Sequence, residues 1–81
     1  MNVTVKYQGI IGDMLGRKGE QVALAGDATV ADLIALLTAG DETARSILKQ
    51  TRPFINGQQA ERTAPLADGV EVLFMRPIAG G

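Results

Sequence analysis

The sequence predicts a two-layer α+β domain in which a mixed β-sheet packs on one main helix. Three observations lead to this fold class. Apolar and polar residues alternate at the start of the chain, one apolar stripe of helical spacing lies in the middle, and short extended runs separated by turn residues fill the second half. A length of 81 residues allows one small domain with a modest core.

The first two strands are predicted from this alternation. Val3, Val5 and Tyr7 alternate with polar residues, and the run from Glu20 to Leu24 repeats the pattern more weakly. The connection from Gly9 to Gly19 is rich in glycine, but its spacing matches neither of the common phosphate-binding motifs. Four apolar residues within it are spaced as in a short helical turn: Ile10, Ile11, Met14 and Leu15.

The main helix is the clearest element. Its apolar stripe has the spacing i, i+3, i+4, i+7 and consists of Val30, Leu33, Ile34 and Leu37. Thr29 is a natural N-cap, and Asp32 completes a capping box with Asp in the usual place of Glu. Gly40 is expected to end the helix in the left-handed conformation.

A second short helix and three further strands complete the predicted order. The helix is expected from Asp41 to Lys49, and Asn56-Gly57 predicts a type I′ hairpin. A turn from Leu66 to Gly69 leads into a last strand from Val70 to Arg76. The core is predicted to contain Val3, Val5, Tyr7, Val22, Leu24, Leu33, Ile34, Leu37, Val72 and Phe74.

Composition excludes several classes of function. The chain has no His, Cys or Trp, so it lacks the side chains of thiol nucleophiles, histidine bases and the usual zinc sites. The net charge of −1, with no basic stripe, argues against nucleic acid as a partner. Apolar runs fall far short of the roughly 20 residues that span a membrane, and no signal peptide is evident, so we expect a cytoplasmic chain without membrane contact.

The last strand carries a candidate partner-binding surface. If Val72 and Phe74 face the helix, then Leu73 and Met75 point outward beside Glu71. Two neighbouring apolar side chains on the open face of a sheet are typical of a binding patch, although single exposed apolar residues are common.

The end of the sequence is a second candidate site. We expect residues 1–76 to form the domain and residues 77–81 a flexible tail that ends in Gly80-Gly81. Without Cβ atoms, two glycines can thread a narrow channel and present the Gly81 carboxylate as the only reactive group. The partner-binding residues are then Leu73, Met75, Arg76, Pro77, Ile78 and Ala79.

Four segments together resemble the MoaD/ThiS sulfur-carrier family, across essentially the whole chain. These are Thr29 to Leu33, Ile55-Asn56-Gly57, Leu66 to Val72 and Pro77 to Gly81. The resemblance implies the ubiquitin-like β-grasp fold. It also implies that an E1-like enzyme adenylates Gly81 with ATP, and that sulfur from a sulfurtransferase persulfide replaces AMP to give a thiocarboxylate. The chain itself would be no enzyme and would bind no cofactor or metal.

The resemblance points most to the small subunit of molybdopterin synthase, with the large subunit of that enzyme as a partner. The chain length and the tail beginning at Pro77 favour this branch. Asp68-Gly69-Val70 departs from the Asp-Gly-Asp common in the family, and the tail has Arg76-Pro77 in place of two prolines. Alternatives therefore stay open: thiamin thiazole synthesis, cysteine synthesis, protein modification, or a non-covalent β-grasp interaction module.

Overall fold

The computed structural model describes residues 1–77 of the chain. That part contains five strands and three helices, in the predicted order, and the short helical turn expected after the first strand is a helix. In chain order they are β1 (Asn2–Tyr7), α1 (Gly9–Leu15), β2 (Glu20–Ala23), α2 (Val30–Leu37), α3 (Glu42–Lys49), β3 (Arg52–Ile55), β4 (Gln58–Gln59) and β5 (Glu71–Met75).

The strands form one mixed sheet in the order β2-β1-β5-β3-β4. β1 and β5 pair in parallel, with Val5 opposite Val72, and the other neighbours are antiparallel. The last strand of the sheet therefore lies at its centre, between the first strand and the hairpin. This α+β arrangement is the predicted fold class. The sequence predicted one main helix and a second short helix, whereas α2 and α3 are both eight residues long.

The start of α2 confirms the predicted capping box. The Thr29 hydroxyl accepts a hydrogen bond from the Asp32 N–H at 3.3 Å, and the Asp32 carboxylate accepts one from the Thr29 N–H at 2.8 Å. The helix ends at Leu37 with Thr38 as its C-cap, so the expectation that Gly40 ends it is wrong. Gly40 does have a left-handed φ of 70°, but it lies in the turn that leads to Asp41, the N-cap of α3.

The hairpin between β3 and β4 is formed as predicted. Asn56 and Gly57 have φ values of 48° and 85°. Positive φ at both central residues is the requirement of a type I′ turn, and its twist matches that of the flanking strands.

The core lies between the sheet and the helices. Seven residues of the predicted core are buried: Val3, Val5, Val22, Leu33, Leu37, Val72 and Phe74. The prediction was wrong for three residues that are only half-buried: Tyr7, Leu24 and Ile34. Tyr7 lies at the end of a strand and Leu24 follows an edge strand. Ile34 faces a groove between α2 and α3. The predicted core omitted four members of the buried cluster: Ile11, Val30, Leu48 and Leu66.

Among the described residues, none of the helices has the length and apolar character needed to cross a membrane.

Candidate functional site

β5 presents two different faces to its surroundings. Val72 and Phe74 are fully buried against the helices, whereas Leu73 and Met75 lie on the opposite, open face of the sheet. This confirms the predicted orientation of the strand. Leu73 and Met75 are half-buried rather than fully exposed, because strands β1 and β3 flank β5 on both sides.

The register of the sheet adds a third apolar residue to this face. Leu73 is opposite Lys6 of β1 on one side and Phe54 of β3 on the other. Directly opposed residues share a face of a sheet, so Phe54, Leu73 and Met75 form one apolar surface, which we call the open-face patch. Phe54 was not predicted as a site residue, because it stands between two other apolar residues and only the pairing with β5 shows which face it occupies.

Charged side chains surround the open-face patch. Lys6 Nζ lies 3.3 Å from Glu71 Oε2, and Arg52 is opposite Met75 in the register. The Lys6–Glu71 pair is about half exposed, so solvent screens it and it adds little to stability. An apolar centre with a charged rim is typical of a surface that binds another protein.

The open-face patch continues directly into the start of the tail. Arg76 and Pro77 follow Met75 and are exposed. The Arg76 N–H donates a hydrogen bond to Gln8 Oε1 at 2.8 Å, so the chain is held to the end of β1 where it leaves the sheet. The other predicted site residues lie outside the described part of the chain: Ile78, Ala79, Gly80 and Gly81.

An aromatic pair supports this end of the sheet from its buried side. The rings of Tyr7 and Phe74 stack with their centroids 6.1 Å apart and their planes at 22°. The Tyr7 hydroxyl donates a hydrogen bond to Glu20 Oε2 at 3.1 Å. Burial raises the pKa of the Tyr7 phenol from 10.0 to about 12, and the Glu20 carboxylate adds to the shift, while Arg17 opposes it.

The raised pKa of Tyr7 predicts a loss of stability in alkali. The folded protein keeps the phenol proton up to about pH 12, whereas the unfolded chain releases it near pH 10.0. The unfolded state therefore binds fewer protons between these values, and the free energy of unfolding falls as the pH rises through this range.

Denaturant unfolding of wild type and Tyr7→Phe across this pH range measures the effect. We expect the stability of the wild type to fall more steeply than that of Tyr7→Phe, which carries no phenol to titrate. Since Tyr7 is the only tyrosine and the chain has no Trp, its ionisation can be followed directly by absorbance. Parallel stability curves for the two proteins would contradict the assignment.

The described residues contain no group of three or more His, Cys, Asp or Glu placed to hold a metal ion. The candidate site is therefore an apolar surface with a charged rim, next to a strand end that is held by a hydrogen bond.

Comparison with known proteins assigns the chain to a family. The family model of the ThiS family matches residues 5–81, nearly the whole sequence. The chain belongs to the ThiS family. No curated protein is similar enough in sequence to match it.

Several solved structures have a fold similar to that of this chain. SAMP1, a small archaeal modifier protein of Haloferax volcanii, is 22% identical with a TM-score of 0.83, and the match covers 100% of both chains. A complex of subunits 1 and 2 of molybdopterin-converting factor from Helicobacter pylori contains a chain that is 24% identical with a TM-score of 0.73, again over 100% of both chains. A ubiquitin from Caldiarchaeum subterraneum is 19% identical with a TM-score of 0.64, and the match covers 100% of this chain and 98% of that chain. These likenesses establish the ubiquitin-like β-grasp fold.

Proposed function

We propose that this ThiS-family chain is a sulfur carrier for molybdopterin biosynthesis, with the carboxylate of Gly81 as the reactive group. The chain is a carrier and no enzyme, because partner proteins perform the chemistry on its tail. Those partners are an E1-like adenylating enzyme that uses ATP, a sulfurtransferase, and the large subunit of molybdopterin synthase. The proposal implies a cytoplasmic protein, where these partners and ATP are available.

The observation that carries this proposal is the extent of the family match. It runs from residue 5 through residue 81 and so includes Gly80-Gly81 together with the whole β-grasp domain. The composition supports it, because a chain without His or Cys has no side chain suited to carry sulfur, whereas a terminal carboxylate needs none.

The chemistry follows from the need to activate a carboxylate. Attack of the Gly81 carboxylate on the α-phosphate of ATP releases pyrophosphate and forms an acyl-adenylate. The outer sulfur of a persulfide then displaces AMP. A thiol attacks the inner sulfur of the resulting acyl-persulfide, which forms a disulfide and releases the thiocarboxylate. The open-face patch gives each partner a surface to bind beside the strand that leads to this carboxylate.

The molybdopterin branch is supported by the likeness to a chain in the complex of subunits 1 and 2 from H. pylori. In that complex the similar chain is paired with a second subunit. The open-face patch of this chain would fit the same kind of contact with a large subunit.

Intact-mass spectrometry tests the proposal. After incubation with the activating enzyme, ATP and a persulfide source, we expect the protein mass to rise by the difference between one sulfur and one oxygen atom. Omission of ATP should prevent the change, since the free carboxylate is unreactive. A mass that stays constant with every E1-like enzyme of the source organism would refute the sulfur-carrier function.

Protein modification is the second candidate, and the likeness to SAMP1 favours it. A modifier would instead form amide bonds between Gly81 and lysines of other proteins, so conjugates would appear at higher mass after activation. A thiamin carrier would form the same thiocarboxylate, but its deletion would cause a thiamin requirement rather than loss of molybdoenzyme activity.

A further inference from the structure

Gln8 connects the end of β1 to the point where the chain leaves β5. Its main-chain N–H donates to the Phe74 carbonyl at 2.9 Å, and its side-chain Oε1 accepts from the Arg76 N–H at 2.8 Å. Arg76 is the last residue with a main-chain N–H before the tail, because Pro77 has none. The side chain of Gln8 therefore binds the last main-chain donor before Pro77, one residue beyond the end of β5.

The side chain of Gln8 stands in for a main-chain group. In a parallel ladder, the Arg76 N–H would be expected to meet the main-chain carbonyl of Gln8. That carbonyl is turned into α1, where it accepts from the Gly12 N–H at 2.8 Å. The side-chain carbonyl of Gln8 continues the ladder by one bond at the position where the main chain of β1 has left it.

The same side chain does not serve the helix that begins beside it. Gln8 is the N-cap residue of α1, a position where polar side chains commonly accept from the first helical amides, yet it makes no such bond. Its polar end is directed to the neighbouring strand instead. The contact joins residues sixty-eight positions apart in the sequence.

We propose that Gln8 is a positioning residue for the tail: by holding the Arg76 N–H it fixes the direction in which the chain leaves the sheet. This inference rests on the proposed function for its consequence, since a fixed exit direction aids delivery of Gly81 to an adenylating site while the open-face patch is bound. Gln8 touches no reacting atom and acts only through Arg76.

Three variants separate this role from a structural one. Gln8→Ser removes the contact to Arg76 but offers α1 a favourable N-cap, so the fold is retained. Gln8→Glu keeps a side-chain oxygen at the same reach and is the conservative control. Leu73→Asp disturbs the open-face patch and leaves Gln8 in place.

Amide hydrogen exchange by NMR tests the contact itself. We expect the Arg76 amide to exchange about 2- to 10-fold faster in Gln8→Ser, as for the loss of one ordinary hydrogen bond. In Gln8→Glu its rate should stay within about twofold of wild type, and the Phe74 amide should be unchanged in both variants. Unchanged exchange at Arg76 in Gln8→Ser would overturn the proposal.

The kinetics of adenylation test the positioning role. For Gln8→Ser we expect kcat to fall about 10-fold with little change in KM, because the patch still binds but the tail is misdirected. Gln8→Glu should restore kcat, and Leu73→Asp should mainly raise KM. An unchanged kcat in Gln8→Ser, or a fall that Gln8→Glu does not restore, would overturn the positioning role. A wild-type chain that is not adenylated would overturn the proposed function, whereas the exchange rates would still decide whether Gln8 holds Arg76.

Discussion

Deletion of Gly80 and Gly81 is expected to abolish sulfur loading completely while leaving the melting temperature of the domain unchanged. In the proposed mechanism loading requires the Gly81 carboxylate, and removal of two residues without Cβ atoms places Ala79 at the reacting position. The fold should persist, because within residues 1–77, which the structure describes, every residue of the hydrophobic core lies at or before Phe74. Intact-mass spectrometry and thermal unfolding of the two proteins measure both effects.

The same deletion separates the carrier from a non-covalent interaction module. If the chain acts only through its folded surface, the truncated protein should bind its partners and support growth as well as the full chain does. Gly26→Ala is a suitable control, since this glycine has an ordinary φ and open space around its Cβ position. It should load sulfur normally. Sulfur incorporation into the truncated chain would contradict the assignment of Gly81.

Leu73→Asp is expected to weaken binding of the activating enzyme by about 30-fold or more. Leu73 lies at the centre of the open-face patch, between Lys6 and Phe54. A carboxylate there must be desolvated in the complex, and loss of a central apolar contact in an interface costs about 2 kcal/mol or more. Isothermal titration calorimetry with the purified enzyme gives the change in Kd.

Leu36→Asp provides the matched control for this substitution. Leu36 is 52% exposed and belongs to α2, on the other layer of the domain. The same chemical change there should leave the Kd unaltered. Equal weakening by both variants would point to general destabilisation, and normal binding by Leu73→Asp would refute the assignment of the open-face patch. Thermal unfolding of each variant reports its effect on the fold.

Local sequence signals predicted the fold well where one residue type had a specific conformational use. Asn56-Gly57 predicted its hairpin because few other pairs adopt positive φ at both positions. Thr29 and Asp32 predicted the start of α2 because their side chains satisfy amides that are otherwise unpaired. The end of that helix was harder to predict, because the Thr38 hydroxyl donates to the Ile34 carbonyl and the helix stops before Gly40.

Prediction of the candidate site residues depended more on tertiary structure than prediction of the fold did. Alternation along β5 was enough to place Leu73 and Met75 on the open face, since the period of a strand is two residues. Phe54 could be added only from the register between β3 and β5. Gln8 could not be predicted at all, because its partner is distant in sequence and nothing in the residues around it indicates a contact with Arg76.

The central position of β5 has a consequence for how the protein is made. During synthesis the ribosome produces β5 after every other strand of the sheet, yet both β1 and β3 need it as their hydrogen-bonded neighbour. The β1–β2 and β3–β4 pairs can form earlier, but they join into one sheet only when β5 is present. That joining brings together the two ends of the domain, which is a slow kind of folding step. A chain interrupted before β5 would lack both the open-face patch and the tail. An activating enzyme that requires the two together would therefore not bind unfinished chains.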